Sequence, residues 1–307
     1  MANVQSLPPP PLDIARAPEG GEVGPVQSGW RLSLHEFTRN RLAVIGVGVI
    51  VFFVVFCFAG PLFYHGNIIN TNLIETNQPP GAGHPLGTNN LGFDQLALLM
   101  NGGQAALEVG FFAAAIALGL GALWGAIAGL AGGVLDSVMM RVVDIFLSIP
   151  ILFVALIVSV RYGATVLSLS LIIGGFTWLV PARLVRGEVL TLRVRDFVSA
   201  ARAAGSTRWR LISRHLLPNA LGVIIVNVTF NVADAILYVA ALGFLGFGLH
   251  YPHEDWGDML SNGVTYMVDG YWWLIYPVGA CIVLVVMACN LVGDGLRDSL
   301  DVRLRRR

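Results

Sequence analysis

The chain is 307 residues long, 55% hydrophobic and only 12% charged, with a mean hydropathy of +0.71. That leaves far too little polar surface to cover a water-soluble globule of this size, and it places the chain among multi-span membrane proteins. The formal net charge is zero, but every basic residue is an arginine and the arginines flank apolar runs instead of forming a coherent basic face, which excludes nucleic-acid binding.

Residues 1 to about 30 are rich in proline, glycine and polar side chains, with four consecutive prolines at Pro8 to Pro11, and read as a flexible tail without the apolar core of a cleavable signal peptide. Leu32 to Arg41 is expected to form a short interfacial helix. Ala43 to Phe63 is long enough, at about 1.5 Å per residue, to cross a hydrocarbon core about 30 Å thick. Tyr64 to Gly103 is a polar loop rich in Asn, Gly and Pro, read as a folded extracytoplasmic segment. A second span follows over Ala105 to Ala131, where Gly121, Gly125 and Gly129 recur every fourth residue and offer a groove to a neighbouring helix. Met139 to Val160 reads as a third span, with Arg141 and Asp144 spaced to pair on one face near the membrane boundary. Ala164 to Val180 reads as a fourth, closed by Pro181, and Ala220 to Phe247 and Trp272 to Val292 as a fifth and sixth.

Between the fourth and fifth spans lies Glu188 to Asn219, the one long polar stretch between apolar runs. Leu190, Val194, Phe197, Val198 and Ala201 are spaced for one face of a helix. Gly205 suits a left-handed C-cap, and Ser206 or Thr207 can cap a second short helix with an inner face of Trp209, Ile212 and Leu216, ended by Pro218. The reading is helix, glycine turn, helix, studded with arginines and bare of bulk at Ala200, Ala201, Ala203, Ala204 and Gly205.

Six spans put both termini on one side. Arg161 is the one arginine in an outer loop, so the positive-inside rule places the termini and the 188–219 stretch in the cytoplasm. The outer loops carry Glu75, Asp94, Glu254, Asp255, Asp258 and Asp269, and Trp256, Tyr266, Tyr271, Trp272 and Trp273 fit an outer aromatic belt.

No catalytic constellation is visible. His250 and His253 near Glu254 and Asp255 match no strong metal motif, and Cys57, Cys281 and Cys289 lie in apolar runs without partner spacing. There is no Gly-rich phosphate loop with its following Lys, so any ATP must be used by another subunit. In the fifth span Asn227, Asn231 and Asp234 fall at i, i+4 and i+7 and make one polar stripe. It either lines a translocation pathway, with Asp234 meeting a cationic group of the cargo, or hydrogen-bonds between helices.

The run Ala200-Ala201, Gly205 and Leu217-Pro218-Asn219 resembles the EAA loop of the permease subunits of binding-protein-dependent ABC importers. HPLGTNNLGFD (His84 to Asp94), RVVDIFLSIP (Arg141 to Pro150), PARLVRGEVLTLR (Pro181 to Arg193), LGFLGFGL (Leu242 to Leu249), WGDML (Trp256 to Leu260) and NLVGDGLRDSLD (Asn290 to Asp301) resemble the C-type permease of dipeptide, oligopeptide and nickel importers, over roughly residues 35 to 301. The family's acidic residue before the two alanines is Ser199 here, with Asp196 one helical turn earlier. Asn89 and Phe93 stand where the family has Asp and Arg, and Gln104-Ala105-Ala106 replaces a later Arg-x-Ser.

The resemblance implies an all-α polytopic membrane protein with six transmembrane helices, of the type I ABC importer permease kind, in a bacterial cytoplasmic membrane. Its divisions would be a tail over 1–38, the first helix and outer loop over 39–104, a permease core over 105–293 with a coupling loop at 183–219, and a basic tail over 294–307. It further implies a second related permease, two ATPase subunits and an extracytoplasmic solute-binding protein as partners, lipid around the spans, and ATP and Mg on the ATPases with no cofactor in this chain. Asp196, Ala200, Ala201, Arg202, Gly205, Leu217 and Pro218 would couple to the ATPase. The implied cargo is a short peptide, with nickel, an opine, glutathione or another small solute as the close alternative. A proton-coupled secondary transporter and a non-transporting membrane scaffold are the rivals from other classes; the former calls for more intramembrane carboxylates than Asp234 and for inverted repeats.

Overall fold

The computed structural model describes residues 35–249 and 254–305. A helical turn at 35–39 precedes α1 (Arg41–Val54), whose N-cap Asn40 accepts hydrogen bonds from the Leu42 and Ala43 amides. The helix runs on through a π turn (Val55–Ala59) into α2 (Gly60–Phe63). The segment 64–94 folds on itself around Asp94, which is fully buried. One Asp94 oxygen caps the Ala97 amide at 2.9 Å, and the other takes the Tyr64 hydroxyl at 2.6 Å and meets His84 Nδ1 at 2.7 Å.

That cap is why α3 (Gln95–Ala131) begins well before the expected Ala105. The Asn and Gly content of 101–104 suggested loop, but tertiary packing overrides the propensity: Gly102 and Gly103 lie where the Trp256 indole approaches the helix. The same packing makes Trp256 a core residue instead of a member of the expected aromatic belt. It is 1% exposed, and its Nε1 donates to Leu99 O at 2.9 Å.

The third and fourth spans are not straight. α4 (Gly133–Leu147) and α5 (Ile151–Tyr162) meet at 72°, and α6 (Val166–Thr177) and α7 (Leu179–Leu192) at 41°. Pro150 explains the first bend, since it has no amide to donate and disfavours helical backbone in the residue before it. Pro181 does not close the fourth span as expected. It sits in the first turn of α7, where the missing amide would have had no partner in any case.

After α7 come α8 (Asp196–Ala203), α9 (Arg208–Leu211), a π turn (Ile212–Leu216), α10 (Leu217–Phe244), α11 (Trp256–Thr265) and α12 (Tyr276–Arg305). Four helical stretches are each long and apolar enough to cross a membrane, and six if each bent pair is one span. The described chain is thus an all-helical polytopic bundle. α3 is its axis, packed against α7, α10 and α6, and α12 joins α10 to α1. The expected glycine groove receives α7: a side chain at Gly121, Gly125 or Gly129 would collide with Pro181, the Ala182 carbonyl or Val189.

Candidate translocation cavity and coupling segment

Two features stand out, and two helices connect them. The first is the segment between α7 and α10. The single helix expected from 188 onward is broken: α7 ends at Leu192, Arg195 is extended (φ −73°, ψ 149°), and α8 starts at Asp196. Its end is a full Schellman cap. The Gly205 amide donates to Arg202 O at 3.0 Å and the Ser206 amide to Ala201 O at 3.1 Å, with Gly205 left-handed at φ +79°. Thr207 then caps α9 by accepting from the Arg210 amide at 3.3 Å.

Val198, Leu211, Ile212 and Leu216 pack with Val185, Val189 and Ala126, which seats the segment on the ends of α7 and α3. Trp209, expected on the inner face, points outward and is 62% exposed, because Leu211 takes the buried position instead. Val194 and Phe197 are exposed with it, as are Asp196, Ala200, Arg202, Gly205 and Pro218, while Ala201 and Leu217 are half-buried. Asp196 and Ser199 sit one turn apart on α8. Pro218 does not end the second helix: the π turn Ile212–Leu216 removes the register that its ring would break, and the chain runs on directly into α10.

The second feature is a cavity of about 490 Å³. Asn227, Asn231 and Asp234 line it along one face of α10, and residues of both helix breaks, Pro150 and Ile151 on one side and Thr177 and Leu179 on the other, line it as well. The Asn227 amide donates to Val223 O at 2.7 Å and the Asn231 amide to Asn227 O at 2.9 Å, both on their own helix. Among the described residues the side chains of the stripe donate no hydrogen bond to another helix, so the interhelical reading loses its main support. Phe230 and Tyr238 share the wall. Sequence reasoning missed them, although they lie at i+3 and i+11 from Asn227 on the same helical face.

Asp144 does not pair with Arg141 as the spacing suggested. Its carboxylate instead takes a hydrogen bond from Arg183 on α7, and Arg186 holds Asp136 (Nε to Oδ1 2.5 Å, Nη2 to Oδ2 2.7 Å). Asp255 caps α11 and accepts from the Leu249 amide at 2.9 Å and the Gly257 amide at 2.8 Å. Next to it, burial together with Asp258 and Asp255 pushes the Glu254 carboxyl up to about 7. His250 and His253 lie outside the described residues, and no group of three potential metal ligands occurs among the described ones.

The model of the binding-protein-dependent transport system inner membrane component matches residues 121–306, and that of the N-terminal transmembrane domain of oligopeptide transport permease C matches residues 28–80. The chain belongs to this permease family. Similar relatives include the dipeptide transport system permease protein DppC of Bacillus subtilis, 35% identical over 91% of this chain and 86% of the relative. The oligopeptide transport system permease protein OppC of Mycobacterium tuberculosis is 37% identical over 88% of this chain and 93% of its own length. The DppC of Alkalihalophilus pseudofirmus is 36% identical over 91% of each. This permease is accordingly DppC/OppC-like, a transmembrane component of an importer, and both cavity and segment fall within the matched core.

Proposed function

We propose that this permease carries short peptides across a bacterial cytoplasmic membrane by alternating access, driven by ATP hydrolysed on two partner ATPases. One observation carries the reading: α7 and α10 each run from the cavity wall to the exposed segment, so movement of that segment is delivered to the cavity through rigid helices. Asp196, Ala200, Ala201, Arg202, Gly205, Leu217 and Pro218 form the docking surface. Exposed Trp209 and Phe197 supply its apolar anchor, and the arginines supply electrostatic complementarity.

Asn227, Asn231 and Asp234 line the pathway, with Asp234 facing the ammonium group of the peptide. A second related permease completes the pathway, and an extracytoplasmic binding protein delivers the cargo. The chain itself is non-catalytic, with both termini in the cytoplasm, a placement that the arginine distribution supports.

Mild-detergent purification of the tagged chain, expressed with its genomic neighbours, tests the reading. A co-eluting ATPase in stoichiometric amount is expected. Its absence from a folded preparation would favour a self-sufficient carrier.

A further inference from the structure

α4 is held to the rest of the chain in a way that its apolar surface does not explain. Chain enters it through Gly132 and Gly133, both left-handed (φ +65° and +57°), and leaves it through the 72° break. Asp136 and Val143 are its only buried residues, while Val134, Leu135, Val138 and Ile145 are exposed. Hydrophobic packing within this chain therefore fixes α4 weakly. Besides the Trp124 indole, which donates to Met139 O at 3.3 Å, and one edge-to-face contact of the Phe146 ring with Phe176 of α6 (centroids 5.9 Å apart), its side-chain ties are ionic and run to α7.

Arg186 grips Asp136 through two parallel hydrogen bonds, the fork geometry that fixes orientation as well as distance, and Arg183 binds Asp144 two turns further along α4. Asp136 is nearly buried, so one end of this clamp is shielded from screening, whereas the Asp144 end is open, with its two side chains 49% and 44% exposed.

Both helices also reach the cavity. α7 begins on its wall at Leu179 and Pro181 and runs to the docking segment, while α4 ends on its wall at Phe146 and Leu147. We propose that the Asp136–Arg186 and Asp144–Arg183 pairs are the transmission contacts of this permease. They make α4 follow α7 when the docking segment moves, so that the cavity rim from Phe146 to Pro150 moves with it. An element with a break at each end and a directional clamp at its first and last turns moves as one body with its partner, whereas non-directional apolar contact would let it slip. The four side chains are positioning residues. The inference rests on the segment at 196–218 being the ATPase-docking surface.

The test needs no knowledge of the cargo. Leu147→Cys, on the same cavity wall but outside the Phe146–Phe176 contact, is placed in the full complex, where the native Cys57, Cys281 and Cys289 are buried, and its labelling by a membrane-impermeant maleimide is compared without nucleotide and with ATP plus vanadate. The parent is expected to change labelling rate at least fivefold between the two states. Asp136→Asn should abolish the change while the ATPase still co-purifies and hydrolyses ATP, and the exchange Asp136→Arg with Arg186→Asp should restore it. Asp144→Asn, which strands no buried charge, should reduce the change at least twofold. A full response in Asp136→Asn or in Asp144→Asn overturns the proposal, as does loss of ATPase co-purification in Asp136→Asn alone, which would make the pair a support for docking. If the parent itself recovers no ATPase, the docking reading is what fails.

Discussion

Replacing Gly205 separates backbone strain from docking. At φ +79° any side chain costs about 1–2 kcal/mol, because the left-handed region brings Cβ against the following carbonyl. Space is not the difficulty: a Cβ there would meet nothing within 4 Å. Alanine and tryptophan therefore carry the same strain, confined to the capped end of an eight-residue helix. They differ only in the bulk presented on the exposed face.

Gly205→Ala and Gly205→Trp should both insert and purify normally. In a pull-down titrated with the purified ATPase, Ala should weaken binding by no more than its strain allows, about 5-fold to 30-fold for 1–2 kcal/mol. Trp should weaken it at least a further tenfold and abolish transport. Equal losses in the two variants would assign the whole effect to strain, and normal transport by Gly205→Trp would refute the docking surface outright.

Other expectations follow from the same contacts. Gly125→Val drives a branched side chain against the Ala182 carbonyl and the Arg186 amide at 2.9 Å, an overpacking that costs about 1–3 kcal/mol, and an unchanged melting temperature in detergent would show that α3 and α7 do not pack so closely. Because the Asn231 amide bonds only its own helix, Asn231→Ala should alter stability by less than about 1 kcal/mol yet impair uptake; a large loss of stability with intact uptake would return the stripe to a structural role. Trp256→Phe removes the buried indole hydrogen bond to Leu99 O, a carbonyl that keeps its helical bond within α3, at a cost of about 0.5–1.5 kcal/mol readable as a lower melting temperature.

The Glu254 carboxyl, raised from 4.5 to about 7, favours the protonated form in the folded state. Its contribution is fully present below pH 4.5 and is lost as pH rises through about 7, so Glu254→Gln should flatten the fall in melting temperature over that window. An identical pH profile in the variant would count against the burial of that carboxyl.

Much of this permease was legible in one dimension because a bilayer imposes one-dimensional constraints. Every backbone polar group in hydrocarbon must bond within its own helix, so span number and rough position follow from apolar run length. The glycine groove of α3 was readable from its period, the Gly205 cap from a glycine ahead of a Ser-Thr pair, and the alignment of Asn227, Asn231 and Asp234 from helical geometry alone. These are features of single helices.

What needed tertiary structure was every choice of partner. Spacing offered Asp144 the neighbouring Arg141, but the bend at Pro150 and the packing of α7 brought Arg183 closer. Trp256 fits an interfacial belt by composition, but a pocket beside Gly102 and Gly103 buried it. A proline marks where a helix is free to bend, yet Pro150 sits at a break while Pro181 and Pro218 stand in the first turns of α7 and α10, where a missing amide has no helical partner to lose, so the outcome depends on where tertiary packing starts each helix. The cavity belongs to the same class. The sequence by itself determined the polar face of α10, but that face becomes the wall of a chamber only because two other spans bend beside it.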